Sequence, residues 1–315
     1  MASVSSRIRG FFKKKRDDRR KEAYVRKNNI LYSRKKGEKA LFIVFFVIFL
    51  VFAASYIYPF LWLLMNSFKT QTEFINNFGG FPRAPTFENF IEAFSFSSAE
   101  TNGFTVVQML GMSVLVSVSG TLAAVFTSSC AAYVVAKYDF PGRKIIFGVV
   151  IFTMIIPIVG SLPSQIALMK AMHLDQKVIG LVFLYSGAFG MNFMLLYAFF
   201  KNLSWSYVEA AKIDGASDFR IFWSIIIPMA KGPMTAIAII TLIGQWSDYM
   251  TPMIYLSTKP TLSVGLKLLS DTMMIDGNYT ILFATIVISI LPVVIGFIAF
   301  NKTIMENTAV GGLKG

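Results

Sequence analysis

The sequence predicts an all-α membrane protein, a bundle of six transmembrane helices with both termini in the cytoplasm. Of its 315 residues, 55% are hydrophobic and only 15% are charged, and the mean hydropathy is +0.60. An ordinary soluble domain carries about 25% charged residues. The composition therefore favours a membrane protein.

Charge-free runs locate the predicted membrane spans. About 20 apolar residues cross the hydrocarbon layer, and a central Lys, Arg or Asp is costly there. The spans are predicted at about residues 40–65, 106–136, 145–169, 178–200, 232–256 and 277–300. The fifth run is short, because only 16 residues separate Lys231 from Asp248. Extending this span to residue 256 places Asp248 near a membrane face or a wet cavity.

Lysine and arginine side chains set the predicted orientation. The segments 1–39, 137–144, 201–231 and 302–315 hold 24 of the 30 Lys and Arg residues, and the basic tail 1–39 alone holds 15. Basic residues accumulate on the cytoplasmic side of membrane proteins. Both tails and the segment 201–231 are therefore predicted to be cytoplasmic, flanking a transmembrane domain at 40–301. The long charged leader favours an uncleaved anchor over a signal peptide.

The tail 1–39 supports two interpretations. It is either an interfacial helix held to anionic lipid or a solvated determinant of topology. Its position beside a hydrophobic run favours the membrane over nucleic acid as its partner. A single cysteine, Cys130, and a single histidine, His173, exclude an internal disulfide framework and a Cys or His metal cluster.

Two stripes of small and polar residues follow the second predicted span. Gly, Ala or Ser recurs at every fourth residue from Gly120 to Ala136, and such a face lets another helix approach closely in lipid. Ser113, Ser117 and Thr121 form a more polar stripe. This second stripe indicates either helix packing, with hydroxyls bonded to the backbone, or the lining of a hydrophilic pathway.

Several polar or amphipathic side chains lie at or near membrane depth. Polar groups there are costly and often functional, although hydrogen bonding between helices explains many of them equally well. The candidates for a transport pathway are Asn192, Gln245, Trp246, Asp248 and Tyr249.

Segment 201–233 has the pattern of two short helices outside the membrane. Ser204 or Ser206 can cap the first helix, and Gly215 can supply the left-handed turn that ends it. The second is predicted to bury one apolar face, formed by Phe219, Phe222, Trp223 and Ile226. A short helix on a rigid base suits docking into a groove of another protein.

This segment also carries a resemblance to a known family. Glu209-Ala210-Ala211 is followed after three residues by Gly215, and after nine more by Ile225-Ile226-Ile227-Pro228. The pattern resembles the EAA loop of permease subunits of binding-protein-dependent ABC importers. The fuller string Glu209–Ala216 is similar to that of the carbohydrate-importer branch, which contains the maltose-type permeases. Further landmarks of this family are Met65-Asn66-Ser67-Phe68-Lys69 with Glu73, Pro85–Phe90, Phe140-Pro141-Gly142-Arg143 and Trp246-Ser247-Asp248-Tyr249.

The resemblance implies a division of labour between subunits. The chain contains no Gly-Lys dipeptide and hence no phosphate-binding P-loop, so the chain itself would bind no cofactor. ATP and Mg would be used by two partner ATPase subunits, which dock on Glu209, Ala210, Ala211, Asp214, Gly215 and Ala216. The further partners implied are a second permease subunit in a heterodimer, an extracytoplasmic solute-binding protein and the lipid bilayer of the bacterial inner membrane.

The resemblance further implies transport of a sugar or oligosaccharide. A sugar has many hydroxyls and two apolar faces, which Asn192, Gln245, Trp246 and Tyr249 could recognise, although the same residues could pack the bundle. An importer for a polyol or a glycerol phosphate is an alternative within the family. A standalone carrier or channel would lack the docking loop. A membrane enzyme would need further catalytic residues beside His173 or Cys130, and the sequence indicates none there.

Overall fold

The computed structural model describes residues 36–97, 100–155 and 160–309, and every regular element in these ranges is helical. The helices are α1 (Lys36–Ser67), α2 (Gln71–Asn76), α3 (Glu88–Ser95), α4 (Val106–Lys137), α5 (Arg143–Ile155), α6 (Leu162–Ala171), α7 (Val178–Tyr185), α8 (Met191–Asn202), α9 (Ser206–Ile213), α10 (Asp218–Ile221), α11 (Ile227–Met229), α12 (Lys231–Ser247), α13 (Met250–Tyr255), α14 (Leu262–Asp276) and α15 (Tyr279–Ala309). A π-helical turn at Phe222–Ile226 joins α10 to α11. The predicted all-α class is confirmed for the described ranges.

The basic tail lies almost entirely outside the described residues. The described part begins at residue 36, so neither interpretation of the tail is tested. At the other end, α15 continues through the predicted boundary at 302 as far as Ala309. Residues 310–315 again lie outside the described ranges.

The chain divides into two compact units, Met1–Leu63 and Leu64–Gly315. The described part of the first unit is the larger portion of α1. Apolar side chains on successive residues of this helix, such as Phe45, Phe46, Val47 and Ile48, are all exposed. A helix that is apolar on every side is typical of a membrane span.

Three helices in the described residues are long and apolar enough to cross a membrane. They cover Gly37–Ser67, Val106–Lys137 and Tyr279–Asn301, and they coincide with the first, second and sixth predicted spans. The pair Asp218–Met229 and Lys231–Ser247, bent by 75° at its break, adds a fourth if it forms one span. The count of six spans therefore stays a prediction.

The third and fourth predicted spans each correspond to two shorter helices. Residues 145–169 are divided between α5 and α6, and 178–200 between α7 and α8. In the second case Gly190 has a φ of 143° and a ψ of −155°, a conformation that is essentially restricted to glycine. The hydroxyl of Thr127 donates to the freed carbonyl of Ser186 at 2.7 Å. The break is thus satisfied by a polar side chain of α4.

Helix α4 is the centre of the second unit. A capping box starts it: the backbone N–H of Thr105 donates to Gln108 Oε1 at 2.9 Å, and the Thr105 hydroxyl accepts from the Gln108 N–H. Helices α7, α8, α12 and α14 pack against α4. All members of its small-residue stripe are buried, namely Gly120, Ala124, Ser128, Ala132 and Ala136. The predicted close-packing face is therefore confirmed.

The segment after α1 is tied down by buried polar groups. The side-chain amide of Asn89 donates to the carbonyl oxygens of Ser67 at 2.8 Å and Lys69 at 2.7 Å. Lys69 is fully buried, and its ammonium donates to the carbonyl of Asn77. Burial lowers the pKa of the Lys69 ammonium, and the charge of Glu73 opposes that shift.

Replacing Asn89 tests this arrangement. We expect Asn89→Ala to lower the free energy of unfolding by about 2 kcal/mol, because two buried carbonyls lose their donor. Denaturant titration in detergent measures the loss. Asn76→Ala is the matched control, because the exposed Asn76 amide bonds, among the described residues, to Thr72 of its own helix. Equal losses in the two variants would contradict the role assigned to Asn89.

Candidate functional site

The predicted docking helix is α9, and a serine turn precedes it. The Ser204 hydroxyl accepts from the Ser206 backbone N–H at 3.3 Å. The N-terminus of α9 itself has no side-chain cap. Ser204 therefore shapes the turn before the helix, whereas the sequence had suggested that Ser204 or Ser206 caps the helix directly.

The two alanines of the motif differ in burial, because consecutive residues of a helix are about 100° apart around its axis. Ala211 is buried together with Val208, three residues earlier, and this face packs on the bundle. Glu209, Ala210 and Asp214 are exposed. The free face of the helix therefore presents a carboxylate beside a methyl group, which leaves room for close approach by another protein.

Gly215 ends α9 as the sequence predicts. Its φ is 75°, in the left-handed region that favours glycine. The Gly215 N–H donates to the Lys212 carbonyl at 3.0 Å, and the Ala216 N–H donates to the Ala211 carbonyl at 2.9 Å. This pair of bonds defines a Schellman motif. Gly215 and Ala216 therefore form the structural end of α9, which is why the sequence motif extends to them.

The end of α9 is bound to the end of α4. Tyr138, directly after α4, donates its hydroxyl to Asp218 Oδ1 at 2.9 Å. Lys212 Nζ lies 3.1 Å from the same oxygen and 5.9 Å from the centre of the Tyr138 ring. Burial raises the pKa of the Tyr138 hydroxyl, assisted by Tyr133 and Asp218. The phenol therefore stays a proton donor at neutral pH.

A second tie fixes the turn before α9. The Lys137 ammonium donates to the Leu203 carbonyl and lies 6.0 Å from the Trp205 ring. The Trp205 ring in turn meets Tyr138 edge to face, with centroids 5.9 Å apart. Both ends of the docking helix are thus attached to the last residue of α4 and the residue after it.

The second short helix buries a different face from the predicted one. Phe222 and Ile226 are buried as expected, but Phe219 is 75% exposed and Trp223 is 43% exposed, while Ile221 is fully buried. The cause is the π-helical turn, in which the Ile227 N–H donates to the Phe222 carbonyl five residues back. The additional residue in this turn changes which side chains face the bundle.

The predicted pathway residues do not form a single group. Gln245 Oε1 accepts from the Thr121 hydroxyl at 3.4 Å. Asp248 Oδ2 accepts from the Tyr185 hydroxyl at 2.9 Å. An added Cβ on Gly120 would lie 2.5 Å from Gln245 Oε1 and 2.8 Å from Tyr185 Cδ2. Gln245 and Asp248 therefore belong to one polar cluster around the end of α7.

The other three pathway candidates lie elsewhere. Asn192 donates to the Thr241 hydroxyl at 3.1 Å, and Tyr249 is exposed just before α13. The Trp246 indole donates to the Ser289 carbonyl at 3.2 Å. Trp246 also lines a cavity of about 190 Å³ between α4, α12 and α15, together with Ser117 and Pro292. The hydroxyl of Ser117 donates to the Ser113 carbonyl at 2.6 Å.

Sequence reasoning missed Tyr138, Lys212, Asp218 and Tyr185 as site residues. Tyr138 and Asp218 are 80 positions apart in the chain, and no periodic pattern links them. The break that positions Tyr185 had a signal, the run Ser186-Gly187 with Gly190 inside a charge-free segment. Glycines at that spacing indicate a possible interruption of a helix.

Long apolar helices, polar groups held between them and an exposed short helix at one end are features of a permease, a class of integral membrane protein. Comparison with known proteins then identifies its family. The chain belongs to the family described as binding-protein-dependent transport system inner membrane component, whose model matches residues 123–302. The chain is a permease of such a transport system and not an enzyme.

Characterised relatives cover most of the chain. The diacetylchitobiose uptake system permease protein NgcG of Streptomyces coelicolor is 30% identical over 82% of this chain and 84% of its own. The arabinooligosaccharides transport system permease protein AraQ of Bacillus subtilis is 29% identical over 85% of this chain and 94% of its own. Both relatives are permeases of the carbohydrate-importer branch.

A solved structure shares the fold. It is the crystal structure of a bacterial ABC transporter involved in the import of the acidic polysaccharide alginate. The TM-score is 0.72 at 23% sequence identity, and the match covers 85% of this chain and 98% of that chain. The two chains therefore share the same helical fold.

Substitutions of two glycines in α4 test the contact at the polar cluster. Gly120→Ala places a methyl group against Gln245 and Tyr185, so we expect a loss of about 1–3 kcal/mol in unfolding free energy from overpacking. Gly111→Ala is the control, because its added Cβ meets no atom of the described residues within 4 Å. We expect this control to be neutral or slightly stabilising. Denaturant titration in detergent compares them, and the reverse order would contradict the assigned packing.

Tyr138→Phe tests the tie between α4 and the docking helix. Loss of a hydrogen bond worth about 1 kcal/mol raises the local opening of residues 212–218 roughly fivefold. Hydrogen–deuterium exchange of these amides measures the effect. Tyr207→Phe is the control, because Tyr207 is exposed and its hydroxyl has no hydrogen-bond partner within the described residues. Unchanged exchange in Tyr138→Phe would contradict the tie.

Proposed function

We propose that this chain is one half of the translocation pathway of an ATP-driven importer for a sugar or oligosaccharide. The observation that carries the proposal is the exposed docking helix α9, held at both ends by contacts to the end of α4. A helix used for docking must expose part of its surface, and a helix that transmits force must also be held rigidly. The exposed Glu209 and the ties at Tyr138 and Lys137 supply these two properties.

The docking helix would contact an ATPase subunit through its exposed face. Glu209 would make the charged contact and Ala210 would allow close approach, while Ala211 attaches the helix to the bundle. Asp214, Gly215 and Ala216 would fix the turn that ends the contact surface. Two ATPase subunits using ATP and Mg, a second permease subunit in a heterodimer and an extracytoplasmic solute-binding protein complete the proposed assembly.

The proposed topology follows from the distribution of basic residues. Six spans place both termini and the segment 201–231 in the cytoplasm, where the ATPase subunits would lie. The fifth span would begin beyond the bend of 75° between Asp218–Met229 and α12. The docking helix would then project from the membrane at the cytoplasmic end of α4.

The substrate class rests on the relatives and on the polar cluster. NgcG and AraQ carry the names of sugar oligomers, diacetylchitobiose and arabinooligosaccharides. In this chain Gln245 and Asp248 lie beside the Tyr185 ring, which combines hydrogen-bonding groups with an aromatic surface. Asn192, Trp246 and Tyr249 would line other parts of the pathway. Polyols and glycerol phosphates are the alternative polar solutes.

Charge reversal at the docking helix tests the proposed coupling. We expect Glu209→Lys to reduce substrate-stimulated ATP hydrolysis and uptake together by at least tenfold, because the charged contact with the ATPase becomes repulsive. Uptake and ATP hydrolysis by the reconstituted complex are measured in parallel. Glu92→Lys is the control, because Glu92 is an equally exposed glutamate in α3.

Gly215→Pro tests the same contact through its geometry. Proline cannot adopt a φ of 75° and lacks the N–H that bonds to Lys212, so α9 should lose its terminus and uptake should fall as in Glu209→Lys. Membrane insertion and subunit assembly are checked for each variant. Uptake that continues unchanged in both variants, or that needs no ATP, would contradict the docking role and favour a carrier or channel.

A further inference from the structure

An open cavity begins directly after Tyr138, the residue at the end of α4 whose ring lies near Lys212 of the docking helix. It has a volume of about 740 Å³ and is lined by the turn after α4, the first turns of α5 and Tyr197 of α8. None of the contacts of α9 described above involves this cavity. Its chemistry indicates a second ligand, separate from the solute and from the ATPase.

Positive charge predominates around the cavity. Arg143 and Lys144 line it, and Asp139 is the acidic residue among the lining groups. Arg143 pairs with Asp139 and also donates to the Ala136 carbonyl at 3.1 Å, so the charges of this pair offset each other. Lys144 is exposed and has no ion-pair partner within the described residues. Its charge is therefore available to an anion.

A second lysine adds to this charge. Lys201 Nζ lies 5.8 Å from the centre of the Tyr197 ring, whose edge forms part of the cavity wall. The Tyr197 ring is held by Phe147, with centroids 4.5 Å apart. Lys201 is exposed and forms no ion pair in the part of the chain that the structure describes. Lys144 thus lines the cavity, and Lys201 lies over the ring of Tyr197, which is part of the same lining.

The apolar part of the cavity continues into an exposed helix surface. Ile145 lines the cavity and is 72% exposed, and Phe152 and Ile155 farther along α5 are 62% and 74% exposed. A water-facing surface rarely exposes such a run of large apolar side chains. The cavity begins at Asp139, two residues after the candidate span in α4 ends at Lys137, so the proposed topology places it toward the cytoplasmic side of the membrane.

We propose that this cavity binds an anionic membrane phospholipid. Lys144 and Lys201 contact the phosphate and the charged headgroup, Tyr197 lies at headgroup level, and an acyl chain follows Ile145 and Phe152 along α5. Aromatic and basic residues with this arrangement are typical of membrane interfaces. This proposal rests on the proposed function, because it requires that the chain lies in a membrane. The lipid would bind at the end of the bundle that carries the docking helix.

The proposal is tested by measuring lipid retention. The full-length chain is purified in detergent together with its copurifying subunits. Native mass spectrometry measures the dissociation constant for added phosphatidylglycerol. At about 1 kcal/mol for each near-surface basic residue, we expect the constant to rise about fivefold for Lys144→Ala or Lys201→Ala and about thirtyfold for the double variant. The double variant Lys144→Arg with Lys201→Arg keeps the charge and should restore binding.

Matched controls separate this site from general attraction to basic protein. Lys170→Ala with Lys259→Ala removes the same charge from exposed positions outside the cavity and should leave the constant unchanged. Equal weakening in this control would overturn the proposal, as would equal affinity for phosphatidylcholine. Because neither uptake nor ATP hydrolysis is read here, failure of this test is distinguishable from failure of the proposed transport function.

Two further outcomes concern other occupants. If inorganic phosphate at low millimolar concentration displaces the lipid and binds without it, the cavity is a site for a free anion and the lipid proposal is wrong. If the double alanine variant retains phosphatidylglycerol but loses its ATPase subunits, the cavity is a protein-docking surface and the proposal is again wrong. Loss of lipid with subunits retained supports it.

Discussion

Close approach along one face of α4 is the constraint on which the second unit depends. Lipid offers no hydrophobic drive between helices, so van der Waals packing and interhelical hydrogen bonds must hold them together. The small residues from Gly120 to Ala136 let α7, α8 and α12 come near enough for both. At the other end of the helix, the Ser113 hydroxyl accepts from the Leu262 backbone N–H at 2.7 Å. One helix thereby positions the backbone of several neighbours.

The polar cluster and the loop region that carries the docking helix are both attached to α4. Thr121 contacts the polar cluster near the middle of α4, and Tyr138 binds Asp218 just beyond its end. At 1.5 Å per residue these positions are about 25 Å apart along the helix axis. One continuous helix therefore joins the loop region to the polar cluster.

The sequence predicted those features that depend on composition and local pattern. Long charge-free runs correspond to α1, α4 and α15, and the position of Gly215 predicted its left-handed turn. The interruption between α7 and α8 was not predicted, because average hydropathy is insensitive to a glycine conformation that tertiary contacts select. The bond from Tyr138 to Asp218 joins distant positions, and the different burial of Ala210 and Ala211 depends on what packs beneath the helix. These properties are set by the folded bundle rather than by the local sequence.

The π-helical turn at Phe222–Ile226 also bears on how chain length can vary in this region. A π turn contains one residue more than the α-helical turn that could replace it. Deletion of a single residue there would rotate everything on its N-terminal side by about 100° relative to α12. An alignment gap of one residue at this place would therefore change the direction of the docking helix, although the motif itself would be untouched. A change of chain length at this turn can therefore alter the contacts of a permease of this kind in a way that a point substitution cannot.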